Sequence, residues 1–161
     1  MGQSTTASPS AFIFETKEHV ITEGAAKSVR LPKGELILSN SATCGVPNFT
    51  GVEGCIHDGW LYFKNLKRVS KRFLFLYLEQ QQKALLQGIG EGATQKNLNT
   101  DYVGKQKFRI PSETAMLENF ETVIAPIFDQ IERLALLNLE TAKARDLLLP
   151  RLMDGRLEVA A

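Results

Sequence analysis

The sequence predicts a mixed α/β (α+β) domain followed by one long helix, and three observations support this prediction. Short apolar runs separated by turn residues occupy the first third of the chain, a pattern typical of strands. A capped apolar segment from Lys71 to Gln87 is typical of a helix. From Ser112 to about Leu149, apolar residues recur at steps of three and four, which predicts a helix of roughly 38 residues and about 57 Å. In a chain of 161 residues, a helix of this length must project beyond a compact domain.

Four segments are predicted to be strands because short apolar runs lie between clusters of turn-forming residues. They are Ala11 to Phe14, Glu35 to Ser39, Val52 to Ile56 and Trp60 to Phe63. Pro32-Lys33-Gly34 and the segment from Gly45 to Asn48 are predicted turns, and Asp58-Gly59 between the last two runs predicts a hairpin. The segment from Phe108 to Ile110 is expected to form a last short strand before the long helix.

The helix from Lys71 to Gln87 is predicted to begin after Ser70, because a serine hydroxyl accepts hydrogen bonds from the free N–H groups of a first helical turn. Its buried face is expected to carry Leu74, Tyr77, Leu78 and Leu85. The aromatic residues expected in the core are Trp60, Phe63, Phe73 and Phe75.

The long helix carries one apolar stripe, which needs cover from another helix or from the chain's own domain. The stripe consists of Leu117, Phe120, Ile124, Ile127, Ile131 and Leu134. Because the helix extends beyond its domain, we expect the stripe to pair with a second copy of the chain. Packing against the chain's own domain is the alternative. Pro126 predicts a kink, since proline lacks a backbone N–H, and Pro150 with Gly155 predicts the helix end.

The composition predicts a cytoplasmic protein with one domain and an appendage. A hydrophobic content of 43% is enough for an ordinary core. No apolar run approaches the roughly 20 residues that a membrane-spanning helix needs, and no charged and then apolar leader follows Met1. Cys44 and Cys55 are too few and too loosely spaced for a disulfide framework, which agrees with a reducing compartment.

The net charge of +1 conceals a strongly basic middle region. Residues 64–109 carry ten Lys or Arg against three Asp or Glu, whereas the regions on both sides are acidic. The densest cluster consists of Lys64, Lys67, Arg68, Lys71 and Arg72, and Lys96, Lys105, Lys107 and Arg109 follow it. Clustered cations of this kind are expected where a protein contacts nucleic-acid phosphates. A charged face that only meets solvent is the alternative.

The sequence contains no recognisable catalytic or metal-binding motif. His19 and His57 are the only histidines, and the paired close spacing of a zinc site is missing around them. Glycines between Gly88 and Gly92 precede Lys96 as in a phosphate-binding loop, but a P-loop places lysine directly after its last glycine. We therefore expect a non-catalytic protein that needs neither a cofactor nor a metal.

Several segments taken together resemble the DNA-specificity subunits of type I restriction-modification enzymes. Their order and spacing between about residues 17 and 159 make the match more specific than any one segment. The segments are Leu31 to Ser39 with Ser41, Thr43 and Gly45; Phe73 to Leu78; Gly92 to Leu98; Ile110-Pro111; and Leu148 to Leu157.

This resemblance implies a target-recognition domain at residues 1–110 and a helical spacer and dimerisation region of coiled-coil type at residues 111–161. In that family the domain recognises one half of a split duplex DNA site, long helices pair antiparallel, and DNA methyltransferase (modification) and restriction subunits supply catalysis. The family subunit ordinarily has two domains and two helices. This chain has one of each, and Met1 to Ser4 resemble an internal segment of the family, so we expect the first strands of the domain to be absent. We therefore expect either a half subunit that forms a homodimer or a fragment. The alternatives are a helix-mediated interaction module and an inactive remnant, both with little DNA binding.

The resemblance also implies that several polar residues contact DNA. Ser39, Asn40, Ser41 and Thr43 follow a predicted strand, where short polar side chains can meet phosphates or base edges. A turn that satisfies its own backbone is the alternative. Thr94, Gln95, Lys96 and Asn97 lie in the loop before the long helix, where they contact DNA or anchor the domain to the helix. Lys64, Lys67, Arg68, Lys71 and Arg72 are expected to attract the phosphate backbone without selecting a sequence.

Overall fold

The chain folds into a mixed α/β domain with a long C-terminal helix, which confirms the predicted fold class. The computed structural model describes residues 2–3, 10–16, 18–40, 44–87, 98 and 100–156. The strands are β1 (Gly2–Gln3), β2 (Phe12–Ile13), β3 (Glu18–His19), β4 (Val29–Leu31), β5 (Leu36–Ser39), β6 (Pro47–Thr50), β7 (Gly54–Ile56) and β8 (Trp60–Tyr62). The helices are α1 (Thr22–Ala26), α2 (Lys71–Gln87), α3 (Thr100–Gly104) and α4 (Thr114–Met153). We call the described residues before α4 the head.

The strands of the head form two mixed sheets of four strands each, in the orders β3-β1-β7-β4 and β2-β6-β5-β8. The pairs β1–β7 and β2–β6 are parallel, and the remaining pairs are antiparallel. The prediction of a hairpin at Asp58-Gly59 is wrong, because β7 pairs with β1 and β4 while β8 pairs with β5. The turn therefore carries the chain from one sheet to the other.

Strand β5 lies at the centre of the core because all four of its side chains are buried. Successive side chains of a strand point to opposite faces. Leu36 and Leu38 accordingly pack into a large cluster with α2, whereas Ile37 packs into a smaller one with Leu31 and Trp60. Because both faces of β5 are buried, its apolar residues follow one another and do not alternate with polar ones.

Several predicted elements of the head need correction. Pro47–Thr50 is a strand and not part of a turn; Pro47 is its first residue, a position where a missing N–H is tolerated. Phe108 to Ile110 is not a strand, since no ladder partner pairs with it in the described part of the chain. Val29–Leu31, α1 and α3 were not predicted, because each is only three to five residues long.

Helix α2 has the predicted bounds, Lys71–Gln87. Its N-cap is also confirmed, since the backbone N–H of Phe73 donates to the Ser70 hydroxyl at 3.1 Å. The apolar face predicted for it is buried at Leu74, Leu78 and Leu85. The core prediction holds for Trp60 and Phe75, which are buried, while Phe63 and Phe73 are half-buried.

Helix α4 contains 40 residues and is about 60 Å long. It continues through Pro126 and Pro150 to Met153, so the end expected at about Leu149 and Pro150 is wrong, whereas Gly155 lies just past the helix end as predicted. The helix ends instead in a Schellman motif: the N–H of Arg156 donates to the carbonyl of Arg151 at 2.9 Å, and the N–H of Gly155 to that of Leu152 at 3.2 Å. Gly155 adopts the left-handed backbone (φ 67°) that this motif requires. These bonds stabilise the turn that follows Pro150.

One side of α4 lies against the head over most of its length. Phe128 is the buried residue of the helix, at 3% exposure, and it meets Phe49 and Phe75 of the head at ring distances of 5.7 and 5.3 Å. The half-buried positions of the helix are Leu117, Phe120, Glu121, Ile124, Ala125, Glu132, Ala135, Leu139 and Ala142. Arg68 donates to the carbonyl of Ser112 at one end, and Lys143 pairs with Glu15 at the other. The head therefore covers the helix from its start to Lys143.

Candidate nucleic-acid interface

The five clustered cations of the sequence divide into two groups in the structure. Lys64, Lys67 and Arg68 lie exposed in the loop between β8 and α2. Lys71 and Arg72 lie on the first turn of α2 and are only half exposed. Neighbours in the sequence therefore occupy different electrostatic environments.

The cations of the loop keep their charge available to a ligand. None of them forms an ion pair with a carboxylate among the residues that the structure describes. The ammonium group of Lys64 lies 5.1 Å from the centre of the Tyr62 ring, an aromatic contact that leaves the charge uncompensated. Asn65 turns the loop with a positive φ of 56°, a conformation that asparagine tolerates better than most residues.

A second basic segment lies next to this loop. Lys105, Lys107 and Arg109 follow α3, and each is exposed. The Arg68 guanidinium donates to the carbonyl of Ser112 at 3.5 Å, which ties the first segment to the end of the second. We call the six residues of the two segments the basic surface: Lys64, Lys67, Arg68, Lys105, Lys107 and Arg109.

The two segments of the basic surface border one apolar cleft of about 340 Å³. Phe63 and Leu66 line it from the first segment, and Val103 and Phe108 line it from the second. The Phe108 ring lies 4.5 Å from the ring of Tyr77 on α2, which fixes the second segment on the head. The shared cleft shows that residues about 40 positions apart in the sequence form one surface.

Lys71 and Arg72 form ion pairs within the chain. The Lys71 ammonium lies 2.7 Å from the Glu35 carboxylate and donates to the carbonyl of Gly34. The Arg72 guanidinium lies 2.6 Å from Glu121 and 3.1 Å from Asp129, both on α4. DNA contact by Lys71 and Arg72 stays a prediction, and it would require phosphate to compete with these carboxylates.

The polar residues at the end of β5 are engaged with the backbone. Ser39 is 2% exposed, and its hydroxyl accepts the N–H of Val46 at 3.0 Å. The Asn40 amide donates to the carbonyl of Asp58 at 2.6 Å. This is the geometry of a turn that satisfies its own backbone, the alternative considered for these residues, and their contact with DNA remains a prediction.

Two groups of predicted DNA-binding residues lie outside the described part of the chain. They are Ser41 and Thr43 in the first loop, and Thr94, Gln95, Lys96 and Asn97 in the second. The next residue, Leu98, is buried, and its N–H donates to the carbonyl of Asn40 at 2.9 Å. The chain immediately after Asn97 therefore meets the strand end at Asn40.

The predicted dimerisation stripe is divided by the head. Phe120 meets the Phe73 ring edge-on at 5.4 Å, and Ile124 packs against the large core cluster. Leu117 is half-buried on the same side. Ile127, Ile131 and Leu134 remain exposed, by 49%, 38% and 50% respectively. With Met116 and Val123, which are also exposed, these three residues form what we call the outer stripe.

The sequence did not single out five residues that carry the contact between the head and α4, namely Phe128, Lys33, Glu121, Asp129 and Glu132. Phe128 lies one helical turn after Ile124, so its burial could have been predicted from the helical period. The pairs of Lys33 with Glu132, at 2.7 Å, and of Arg72 with Glu121 and Asp129 join residues at least 49 positions apart. No local pattern predicts such contacts.

Histidine, cysteine and acidic side chains are the remaining candidates for chemistry in the described part of the chain. His57 lies in the turn between the sheets, where its Nδ1 accepts the N–H of Gly59 at 2.8 Å. Within the described ranges no three His, Cys, Asp or Glu side chains are grouped as metal ligands. Cys44 and Cys55 are both buried, and the thiol of Cys44 donates to the carbonyl of Asn40 at 2.9 Å. A search of the described helices found none that is both long and apolar enough to cross a membrane.

Comparison with known protein families gives one match. The family model described as type I restriction modification DNA specificity domain matches residues 7–145, which is most of the head and most of α4. A comparison with curated proteins found no match.

Proposed function

Since the chain belongs to the type I restriction-modification DNA specificity family, we propose that it recognises one half of a split duplex DNA site and acts as a dimer of half subunits. The basic surface carries this proposal. It is the place in the described structure where two sequence segments bring six exposed cations together without acidic partners. Phosphate contacts of this kind supply affinity and orientation but no sequence selection.

Sequence selection belongs in this proposal to the polar loops beside β5. The residues are Ser39, Asn40, Ser41 and Thr43, with Thr94, Gln95, Lys96 and Asn97 from the second loop. The bond from Leu98 to Asn40 supports grouping the two loops, because it joins the chain next to each of them. Amide and hydroxyl side chains suit base edges, since each offers both donors and acceptors.

A second copy of the chain is the partner proposed for α4. The outer stripe is exposed although the other side of the same helix is covered by the head. Antiparallel pairing of two outer stripes would bury them and relate the two heads by a two-fold axis. Such a dimer would recognise an inverted repeat whose gap depends on the distance between the heads.

In this proposal, partner subunits supply catalysis. The DNA methyltransferase (modification) subunit and the restriction subunit would dock on the paired helices, and the exposed residues Leu147, Leu148 and Leu152 near the end of α4 suit such a contact. The second candidate function is an interaction module that joins this assembly through α4 and binds DNA weakly. The number of exposed apolar residues on α4 favours that candidate.

Salt titration of duplex binding separates the two functions. Binding to a random-sequence duplex is measured between low and moderate salt for the wild type and for Lys67→Glu/Lys107→Glu. Genuine phosphate contact predicts that log K falls with log salt by about 0.9 per phosphate neutralised. The double variant should bind at least about tenfold more weakly and with a shallower slope.

The matched control is Lys27→Glu/Lys83→Glu, which makes the same change of charge at two exposed lysines of the head outside the basic surface. It should retain a larger part of the affinity than the double variant at the same salt. If the wild type does not bind duplex DNA at low salt, or if both variants weaken binding equally, the interaction module becomes the better account.

A further inference from the structure

The contact between the head and α4 has a composition that the proposed function does not by itself explain. An aromatic anchor, Phe128, lies among three carboxylates of α4 that pair with cations of the head. Arg72 bridges Glu121, seven positions before Phe128, and Asp129, directly after it, and Lys33 meets Glu132. We call these five charged residues the clamp.

We infer that Arg72 and Lys33 are positioning residues, which fix the orientation of the head on α4 and do not contact DNA. This inference rests on the proposed function, since it concerns how the basic surface is presented to a duplex. It also differs from the prediction made from the sequence, where Arg72 was grouped with the phosphate-binding cations.

The geometry at Arg72 supports a positioning role. Its guanidinium uses separate nitrogens for the two carboxylates, Nη1 for Glu121 and Nη2 for Asp129. The planar group of arginine fixes direction as well as distance when it bridges two acceptors. The other oxygen of Glu121, Oε2, is buried and has no hydrogen-bond partner among the described residues. Without Arg72, this carboxylate would keep neither its ion pair nor full contact with water.

The clamp adds a directional restraint, which the aromatic anchor lacks. Apolar contacts between Phe128 and the rings of Phe49 and Phe75 resist separation of head and helix, but burial of apolar area is non-directional. Lys33 and Arg72 lie on different elements of the head, in the turn before β5 and at the start of α2. Ion pairs from two elements to carboxylates 11 positions apart on α4 restrict tilting of the head about the anchor.

This restriction has a consequence for the DNA site. In a symmetric dimer, the gap between half-sites depends on the orientation of each head on its helix. A head that tilts accepts several gaps, whereas a fixed head accepts one. Arg72 and Lys33 therefore set the tolerance for gap length, while the basic surface sets the affinity.

The first experiment measures binding against gap length. Half-sites are selected from random duplexes with the wild-type protein and joined as inverted repeats, with the gap varied in steps of one base pair, about 3.4 Å. The wild type should prefer one gap by at least about tenfold. Arg72→Gln should reduce this preference to less than about threefold while its affinity for the best gap changes little.

Charge exchange tests the second arm of the clamp. Lys33→Glu and Glu132→Lys should each broaden the gap preference, and the double exchange Lys33→Glu/Glu132→Lys should restore it. Arg72→Lys is a conservative variant that should restore part of the preference lost in Arg72→Gln. Circular dichroism melting verifies that each variant is folded, and the surface pair at Lys33 remains informative if Arg72 variants are unstable.

A phosphate-binding Arg72 would behave differently. Arg72→Gln would then weaken binding equally at every gap and reduce the salt slope by about 0.9, because one phosphate contact is lost. A sharp gap preference that survives in Arg72→Gln and in both single Lys33 and Glu132 variants would also overturn the inference.

A measurement without DNA keeps the inference distinguishable from the proposed function. Spin labels at Glu23→Cys on the head and Asp146→Cys on α4 report their mutual distance, since both sites are exposed and the native Cys44 and Cys55 are buried. Labelled protein is diluted with unlabelled protein so that distances within one chain dominate. The distance distribution should broaden in Arg72→Gln and narrow again in the Lys33/Glu132 exchange relative to its single variants. Equal widths in wild type and Arg72→Gln would refute the clamp, whether or not the protein binds DNA.

Discussion

The two sides of α4 differ sharply although they belong to the same turns of one helix. Phe128 is buried among aromatic rings of the head, while its neighbour Ile127 is about half exposed. The inner side combines apolar and charged residues, and every charged residue of the clamp has a partner of opposite sign. The outer stripe is apolar without such partners. The comparison indicates that the inner side holds the chain's own head, whereas the outer side is suited to a contact between chains.

The largest effect is expected from removing the anchor of the inner side. Phe128→Ala deletes a buried ring and should lower the free energy of unfolding by about 3–5 kcal/mol. Urea denaturation measures this change. Val123→Ala, at a position on the outer stripe that is 65% exposed, is the control and should change the stability of the monomer by less than about 0.5 kcal/mol. Equal losses in the two variants would remove the distinction between the sides.

The next effect concerns the outer stripe. Ile127→Glu/Leu134→Glu would place two carboxylates in the proposed contact between copies, where burying unpaired charges is unfavourable. The dimer dissociation constant should rise at least about 100-fold, which corresponds to about 2.7 kcal/mol. Light scattering over a concentration series measures it, and circular dichroism should remain unchanged. Thr122→Glu, at an exposed position on a different side of α4, provides the control. An unchanged mass for wild type and double variant would show that the outer stripe is not a dimer contact.

Elements with a repeating pattern were predictable from the sequence. The bounds of α2 followed from its apolar period and from Ser70, and the continuity of α4 followed from spacing at three and four. Short elements without a period were missed, such as α3 with five residues. The exchange of the chain between two sheets at Asp58-Gly59 was also missed, because a two-residue turn signal does not specify which strands pair.

The sequence predicted where the positive charge of the candidate site lies, but not which of its cations pair with carboxylates. A count of Lys and Arg identified the basic middle of the chain, and Lys64, Lys67 and Arg68 are exposed as a phosphate contact requires. The same count also included Arg72, which pairs with carboxylates 49 and 57 positions away. Local sequence does not contain such long-range information, so free cations and paired cations look alike until the fold is known.

The third effect concerns two cations: Arg72, which pairs with carboxylates of α4, and Lys67, which belongs to the basic surface. Arg72→Gln should lower the free energy of unfolding by about 1–2 kcal/mol, less than for a fully buried pair because the guanidinium is a third exposed. Lys67→Gln, in the basic surface, should change stability by less than about 0.5 kcal/mol. Thermal or urea unfolding at constant salt measures both. A Lys67→Gln variant that is as unstable as Arg72→Gln would mean that the basic surface is held by contacts within the chain.

The smallest effect lies at the end of α4, beyond the part that the head covers. Gly155→Ala places a side chain at a positive φ of 67° and should weaken the Schellman motif by about 1 kcal/mol. Because the head contacts the helix only as far as Lys143, this loss should appear as local fraying and not as lower global stability. Hydrogen exchange should accelerate for amides in the last turns of α4, while amides around Phe128 exchange as in the wild type. Faster exchange around Phe128 would show that the free end and the covered part of the helix unfold together.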